Sequence, residues 1–521
     1  MKRNNQKIEK LKITSNAVII FVILLISLAC SKEKHTWEGV WQTNIEFYPG
    51  FTVASEFELY QDSIDKTWSA NWEIPELMSF GVYKDVKVTP SYIEVDLESG
   101  WTLKGILLED KKSMNVIRYS PTLGSDTIMY HMVENGTSKM PARLDNKGQK
   151  VKSWNYTAPD LMKDDWTIGA LCDSNNNCQP LEGLFQKILD GKYQGLDAIL
   201  VAQNGKLVLE EYFHLGRRDR VHSIQSATKS VTSLLVGIAY DNGFISNLDK
   251  PLQDCFPKYR DSFSQKPWSV SLKHALMMSG GLDWQEKIPY TDPLNDAIVM
   301  NNSGDMYNYV LSRDIRQGEQ PGEKFEYNSG LSVLLGGVVL DATGVPIDEH
   351  AEQNLFSKLG IKHYIWSSNN GQVHTGGGLY MQPRDILKIG QLVLNNGQWN
   401  GQQVVSQSWV KESTAFHLPI NSSKNLVGYG YQWWRGIFEV NQTKYNTIYA
   451  EGYGIQYLWI IPKLDLVVLV LHHNPTDIVG NHSIIWKEME RFIIPSFLQE
   501  EMTIDSKDEN KITPNVKKIN E

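Results

Sequence analysis

The sequence predicts an α+β protein: an antiparallel sheet flanked by terminal helices with an inserted helical lobe, preceded by a small all-β domain. Three observations carry this reading. Residues 37–135 alternate apolar and polar positions in short runs broken by turn signals. Strand-like runs stand near both ends of the region 166–499, at 197–213 and again at 429–472. The roughly 200 residues between them carry helical periodicity, so a helical lobe interrupts a sheet that is split in sequence.

Composition sets the outer bounds. Of 521 residues, 41% are hydrophobic and 21% charged, which supports sizeable cores and excludes wholesale disorder or a collagen-like chain. The net charge is −9, and −13 once the first 29 residues, with five basic groups and one acidic, are set aside. Such a chain has no global electrostatic drive toward nucleic acid or anionic lipid, and a nucleic-acid partner is not expected.

From the N-terminus, Lys2, Arg3, Lys7, Lys10 and Lys12 precede an apolar run from Ala17 to Ala29 broken only by Ser27. A spanning helix needs ~20 apolar residues, so this shorter run predicts a signal peptide over residues 1–29. The run ends Ser27-Leu28-Ala29-Cys30, which resembles the bacterial lipobox, with Ser27 where Leu is usual. The resemblance implies acylation of Cys30, a lipid-anchored tether over 30–36, and a membrane-attached location in the cell envelope, facing the periplasm or the exterior.

In the β domain, Val40, Phe57, Leu59 and Ile106–Leu108 sit among polar residues, with turns at Pro49-Gly50 and Glu98-Ser99-Gly100. Trp37, Trp41, Trp68, Trp72 and Trp101 are read as core rather than as a ligand pocket. Residues 136–165, polar with two prolines, read as a linker. Cys172 and Cys178 bracket Asp-Ser-Asn-Asn-Asn, a loop short enough to close, and predict one disulfide; Cys255 is expected to be a buried thiol. Asp173, Asn175 and Asn177 have calcium-like spacing but lack the Gly and distal Glu of a complete loop, so they read as a polar turn. No Cys/His spacing suggests zinc, His472-His473 reads as structural, and no metal or organic cofactor is expected.

Further along, Pro180–Tyr193 predicts a helix with Leu181, Leu184, Phe185 and Ile188 on one face. Asp197–Ala202 and Leu207–Phe213 form a hairpin around Asn204-Gly205, a type I′ signal. Tyr429–Trp434, Tyr445–Glu451 and Tyr457–His472 read as strands, the last turning at Pro462–Asp465. Ile484–Leu498 reads as a closing helix, and residues 500–521 as a polar tail.

The chemistry concentrates in the segment from His222 to Ala239. Val231, Leu234, Leu235, Ile238 and Ala239 mark a buried helix face. Ser226 opens that helix, and Lys229 follows one turn later, which brings amine and hydroxyl close. A helix N-terminus disfavours a neighbouring ammonium, so the spacing favours a neutral lysine able to take the serine proton. Ser-x-x-Lys also occurs at Ser31, Ser63 and Ser408, but only Ser226 opens a buried helix; Ser408 is explained by helix capping.

The stretch around Ser226, together with Ser271–Trp284, Pro321–Gly330, Gly376–Asp385 and Tyr449–Tyr457, resembles the serine β-lactamase superfamily. The closest branch is that of class C-like esterases and 6-aminohexanoate-dimer hydrolases, and the likeness covers roughly residues 180–498. It implies that Ser226 is the acylated nucleophile and Lys229 its general base. Tyr327 in Tyr327-Asn328-Ser329 would be the proton shuttle, with Ser329 at the place usually held by Asn. The third motif reads Ala450-Glu451-Gly452, without the usual cation, which lowers the fit to substrates bearing a carboxylate. Ser329, Gly452 and Gly454 would line the substrate, and the backbone N–H of Tyr453 would join that of Ser226 as an oxyanion hole, each donor contributing about 3–4 kcal/mol.

The expectation is an exported, lipid-anchored serine hydrolase cleaving small ester, amide or lactam substrates through an acyl-enzyme. The alternatives are a D,D-peptidase or β-lactamase, or a non-catalytic binding lipoprotein on the same fold. Loops from Asp283 to Gln320 are expected to shape the pocket.

Overall fold

The computed structural model describes residues 37–498 apart from 49–50, 62–65, 75–78, 84–85, 97–101, 121–123, 133–141, 144–148, 172–177, 194, 215, 264–267, 291, 293, 421–424 and 474–481. Cys30, Cys172, the calcium-like residues and the predicted turns at 49–50 and 98–100 therefore lie outside the described residues. The chain divides after Met140 into two compact units.

The first unit is a meander of antiparallel strands: β1 (Gly39–Tyr48), β2 (Phe51–Gln61), β3 (Trp68–Ile74), β4 (Ser79–Tyr83), β5 (Lys87–Val88), β6 (Tyr92–Asp96), β7 (Thr102–Leu107), β8 (Ser113–Ser120) and β9 (Gly124–Met132). Each strand pairs with its neighbour in sequence, except that β4 and β5 end the sheet while β1 turns back to pair with β9. Period-2 alternation puts Trp41, Phe57, Leu59, Ile93, Val95, Leu103, Met114 and Val116 into one interior, with Trp37 beside them. Gly105 leaves room there for the Met114 sulfur, which would stand 2.5 Å from an added Cβ.

The second unit is built on a sheet assembled from both ends of its sequence. Its described strands are β10 (Thr167–Ile168), β11 (Leu196–Gln203), β12 (Lys206–Tyr212), β16 (Leu418–Pro419), β17 (Leu426–Tyr429), β18 (Trp434–Val440), β19 (Thr443–Gly452), β20 (Gln456–Ile461) and β21 (Leu466–His472). Between them lie the short strands β13 (His222–Ser223), β14 (Tyr364–Trp366) and β15 (Leu379–Met381), which form a small separate sheet. The large sheet runs β10-β12-β11-β21-β20-β19-β18-β17-β16, antiparallel except for β10 against β12. The β11–β21 junction, with Ala198 opposite Leu471, joins the two halves that are distant in sequence. Asn204 and Gly205 both take positive φ, 50° and 71°, as the type I′ hairpin demands.

Both faces of this sheet are covered, so its central strands are apolar throughout rather than alternating. Leu200, Val467, Leu469, Leu458 and Ala450 face the helical lobe. Ile199, Val468, Val470, Trp459 and Tyr449 face the terminal helices. The helices that position the site are α1 (Gln179–Leu189), α2 (Thr228–Asp241), α3 (Ser329–Thr343), α4 (Pro383–Leu394) and α5 (Gln407–Ser413); α6 (His482–Glu488) closes the chain together with the irregular turns through Phe497. Helix α2 is buried on every side from Thr228 to Ala239, beyond the single face its periodicity predicts. Its Gly237 lies flat against Trp409 of α5, where a Cβ would meet the indole at 2.2 Å.

Three features differ from the sequence reading. Tyr429–Trp434 is not one strand: Tyr429 ends β17, Trp434 begins β18, and the residues between them turn, because Gln432, at φ 64°, points inward as a polar hub bonded to Ser332 and to the carbonyls of Ala275 and Leu276. Strand β18 was hidden behind this aromatic run. Much of the segment read as a linker is packed structure: Trp154 stacks on Phe185 at 4.5 Å and donates to Glu211 at 2.7 Å, and Tyr156 donates to the Val208 carbonyl at 3.0 Å. Helix α5 is capped by Ser406, whose hydroxyl accepts from the Trp409 N–H at 3.0 Å, rather than by Ser408. Among the described residues no single helix is long and apolar enough to cross a membrane.

Candidate active site

The site lies where α2 begins, beside the end of β19. Gln225 takes φ 47°, a left-handed conformation unusual for a residue with a side chain, and this bends the chain from β13 into a single 3-10 turn carrying Ser226. The hydroxyl of Ser226 is half-buried, and α2 proper starts at Thr228. One turn on, Lys229 is buried at 2% exposure. Its amine donates to Ser226 Oγ at 3.0 Å, to Ser329 Oγ at 3.1 Å, and to the Gly376 carbonyl. Burial pushes the amine down to about 8, against an opposing pull from the negative charge of Glu286.

Tyr327 and Ser329 come from the chain entering α3. Asn328 between them is the N-cap, its side chain accepting from the Leu331 N–H, which turns its two neighbours toward the lysine. The Tyr327 ring lies 5.0 Å from the Lys229 ammonium and stacks on Trp434. Burial, then the charge of Glu286, raise the Tyr327 phenol far above its ordinary value, against the hydroxyls of Ser226 and Ser329. It is therefore a proton donor at neutral pH, complementary to the amine. Ser329 is itself buried between two protein groups: it accepts from Lys229 and donates to Glu286 Oε1 at 2.5 Å, so its proton is committed to a protein carboxylate, whereas the sequence reading expected it to line the substrate.

On the opposite side, Gly452 ends β19 directly against the turn before Ser226. A Cβ there would stand 2.2 Å from the Ile224 carbonyl oxygen, so only glycine permits this approach. Tyr453 follows, then Gly454 at φ 84° and Ile455 at φ 68°. The Gln456 side chain ties this turn down, donating to the carbonyls of Gly454 at 2.9 Å and His472 at 2.6 Å. Nearby, Asp197 accepts from His222 at 3.0 Å and from His473 at 2.6 Å. Burial alone would raise the Asp197 carboxyl, but the two imidazoles hold it well below the usual carboxylate range. The strand leading to Ser226 and the chain leaving β21 thus share one buried carboxylate on β11.

The structure therefore brings Ser226, Lys229 and Tyr327 together and sets Gly452 against the turn that leads to Ser226, with Tyr453 and Gly454 next in the chain. Cys178 is disulfide-bonded and Cys255 is a buried free thiol. Among the described residues no group of three or more His, Cys, Asp or Glu could hold a metal ion. The sequence reading missed Glu286, Tyr290 and Trp434. The aromatic Trp284-x-Glu286 spacing carries no signal of its own, and the roles of these residues arise only from long-range packing.

The family model described as Beta-lactamase matches residues 181–483. The chain is 26% identical over 300 residues to the 6-aminohexanoate-dimer hydrolase of Paenarthrobacter ureafaciens, covering 54% of this chain and 73% of that protein. It is 27% identical over 200 residues to a β-lactamase of Pseudomonas fluorescens, covering 36% of this chain and spanning about half (49%) of that protein's length. Among solved structures, EstCE1, a hydrolase with promiscuous acyltransferase activity, superposes with a TM-score of 0.48 at 13% identity, covering 60% of this chain and 98% of its own.

Proposed function

This chain belongs to the Beta-lactamase family of serine hydrolases, and we propose that it cleaves small ester or amide substrates through an acyl-enzyme on Ser226. The observation that carries this reading is the 3.0 Å contact between a fully buried, destabilised amine and a half-exposed hydroxyl. Once Lys229 is neutral, the same contact reverses: the hydroxyl donates, Ser226 Oγ attacks the carbonyl carbon, and the proton passes to Nζ. The N–H groups of Ser226 and Tyr453 stabilise the oxyanion. Collapse breaks the bond to the leaving group, which takes the Tyr327 proton; Lys229 restores it, and water then releases the acyl group.

The substrate class follows from what lines the approach. Ala450 offers no cation, and Glu451, accepting from Tyr457 at 3.2 Å, adds negative charge to the neighbourhood of Tyr327. A substrate carboxylate would be repelled there, which favours neutral esters and amides over β-lactams or peptide stems. The part-exposed rings of Trp434 and Phe325, packed on the buried Tyr429 and on one another beside Tyr327, suit an apolar acyl or leaving group. The likeness to a hydrolase of a 6-aminohexanoate dimer supports cleavage of an amide bond. Ser226→Ala should abolish hydrolysis of activated esters and labelling by a fluorophosphonate; retention of both would end it.

We also propose export and lipid anchoring through Cys30, on the strength of the basic and apolar leader and the Ser27–Cys30 motif. Metabolic labelling with a palmitate analogue should mark the mature protein, and Cys30→Ala should remove the mark; an unlabelled wild type would refute anchoring.

A further inference from the structure

Glu286 is a buried carboxylate at 7% exposure, and its two oxygens are filled by four donors. Oε1 accepts from Ser329 Oγ at 2.5 Å and Tyr290 OH at 2.7 Å. Oε2 accepts from the Ser329 backbone N–H at 2.7 Å and the Trp284 indole at 2.7 Å. The Ser329 N–H is the first of the fifteen-residue helix α3, so the carboxylate also rests at the positive end of that helix. With all four directions taken, Glu286 has no free lone pair to serve as a base toward substrate. What it does have is a one-hydroxyl path to the amine: Lys229 Nζ donates to Ser329 Oγ, and Ser329 Oγ donates to Glu286.

We propose that Glu286 is the positioning and charge-balancing partner of Lys229, acting through the Ser329 hydroxyl to orient the amine and to stabilise the ammonium formed when it takes the Ser226 proton. The balance of the step is simple. The Ser226 O–H bond breaks, an N–H bond forms on Lys229, and the new positive charge lies one hydroxyl from a fixed negative one. This places Glu286 in the part that a carboxylate plays behind a catalytic imidazole, carried here by a serine bridge. The inference rests on Lys229 being the base, as proposed above.

Other groups facing the amine do not supply this charge. Tyr327 lies beside it as a neutral phenol, and the Gly376 carbonyl is uncharged. His374, whose Nε2 lies 2.8 Å from Asn301 Oδ1, is pushed down to about 4 by burial and then by the charge of Lys229, and so stays neutral. Glu451 acts on Tyr327 and bonds Tyr457. Around Glu286, Tyr290 is a neutral phenol raised by burial, and the exposed Lys287 pairs with Glu326 instead.

The test is the pH profile of kcat/KM on a p-nitrophenyl ester for the full chain, alongside fluorophosphonate labelling, in wild type, Glu286→Gln and Ser329→Ala. Removing the carboxylate withdraws the pull that keeps Lys229 protonated, so the acid limb should move to lower pH by roughly one unit while kcat falls about 10- to 100-fold. Ser329→Ala cuts the bridge and should move the limb the same way, which keeps the proposal testable if Glu286→Gln fails to fold. A folded variant of either kind with lower kcat and an unmoved limb would reduce Glu286 to a packing role and overturn the inference. A wild type that is not labelled at Ser226 would instead overturn the underlying assignment of the base.

Discussion

Two lysines of the second unit are equally hidden from water, and their surroundings differ in one respect. Lys388, on α4 and 0% exposed, donates at 2.8 Å to Asp385, three residues earlier on the same helix. Lys229, on α2 and 2% exposed, touches two hydroxyls and a carbonyl, and its carboxylate stands one hydroxyl farther away. A direct buried ion pair fixes the charge on both partners and leaves nothing to exchange. An amine held at arm's length from its counter-charge can lose its proton near neutrality and recover it. On the proposed mechanism, the difference between a structural and a chemical lysine is thus the distance of the carboxylate, while burial is common to both.

Replacing each amine by an apolar side chain of similar length should break this comparison most sharply. Lys229→Met is expected to lower kcat about 10³- to 10⁴-fold. Its melting temperature should stay close to wild type, because no carboxylate loses a direct partner. Lys388→Met should do the opposite: it strands Asp385, whose carboxyl burial already raises, and destabilises the fold by about 3–5 kcal/mol while kcat per folded molecule is kept. Thermal melts and active-site titration separate the two, and a stable, fully active Lys388→Met would erase the contrast. Gly452→Ala comes next. Its Cβ would stand 2.2 Å from the Ile224 carbonyl, so the turn proposed to hold the oxyanion must retreat, and kcat should drop about 10²-fold with an unshifted acid limb. The smallest effect is expected from Ser406→Ala, which removes the cap of the helix packed on α2 and costs about 1 kcal/mol in a denaturant titration, with the pH profile untouched.

What the sequence makes legible follows from range. The Ser226–Lys229 pair is separated by one helical turn, so local periodicity reveals it; the Asn204-Gly205 hairpin is legible for the same reason. The sheet split between 196–212 and 418–472 could be read because strand-like runs flank a helical middle. Glu286 could not be read, since it meets Ser329 across 43 residues and acquires a role only when Asn328 caps α3. Tyr429–Trp434 misleads because an aromatic run looks extended, whereas the inward Gln432 satisfies carbonyls far away in sequence. Trp154 and Tyr156 were hidden by polar neighbours that reach no core themselves. Tyr327 and Tyr453 became legible only through resemblance to a family, since a lone tyrosine at a turn carries no pattern.

The central claim is that Lys229 is the base that frees Ser226. The rate at which a fluorophosphonate acylates Ser226, followed by intact mass as a function of pH in wild type and Lys229→Met, tests it most directly. The wild-type rate should climb through neutrality and level off above about pH 8, where the amine is free, and the variant should be slow and flat. Matching profiles in the two proteins, or a wild-type rate that ignores pH across this range, would contradict it.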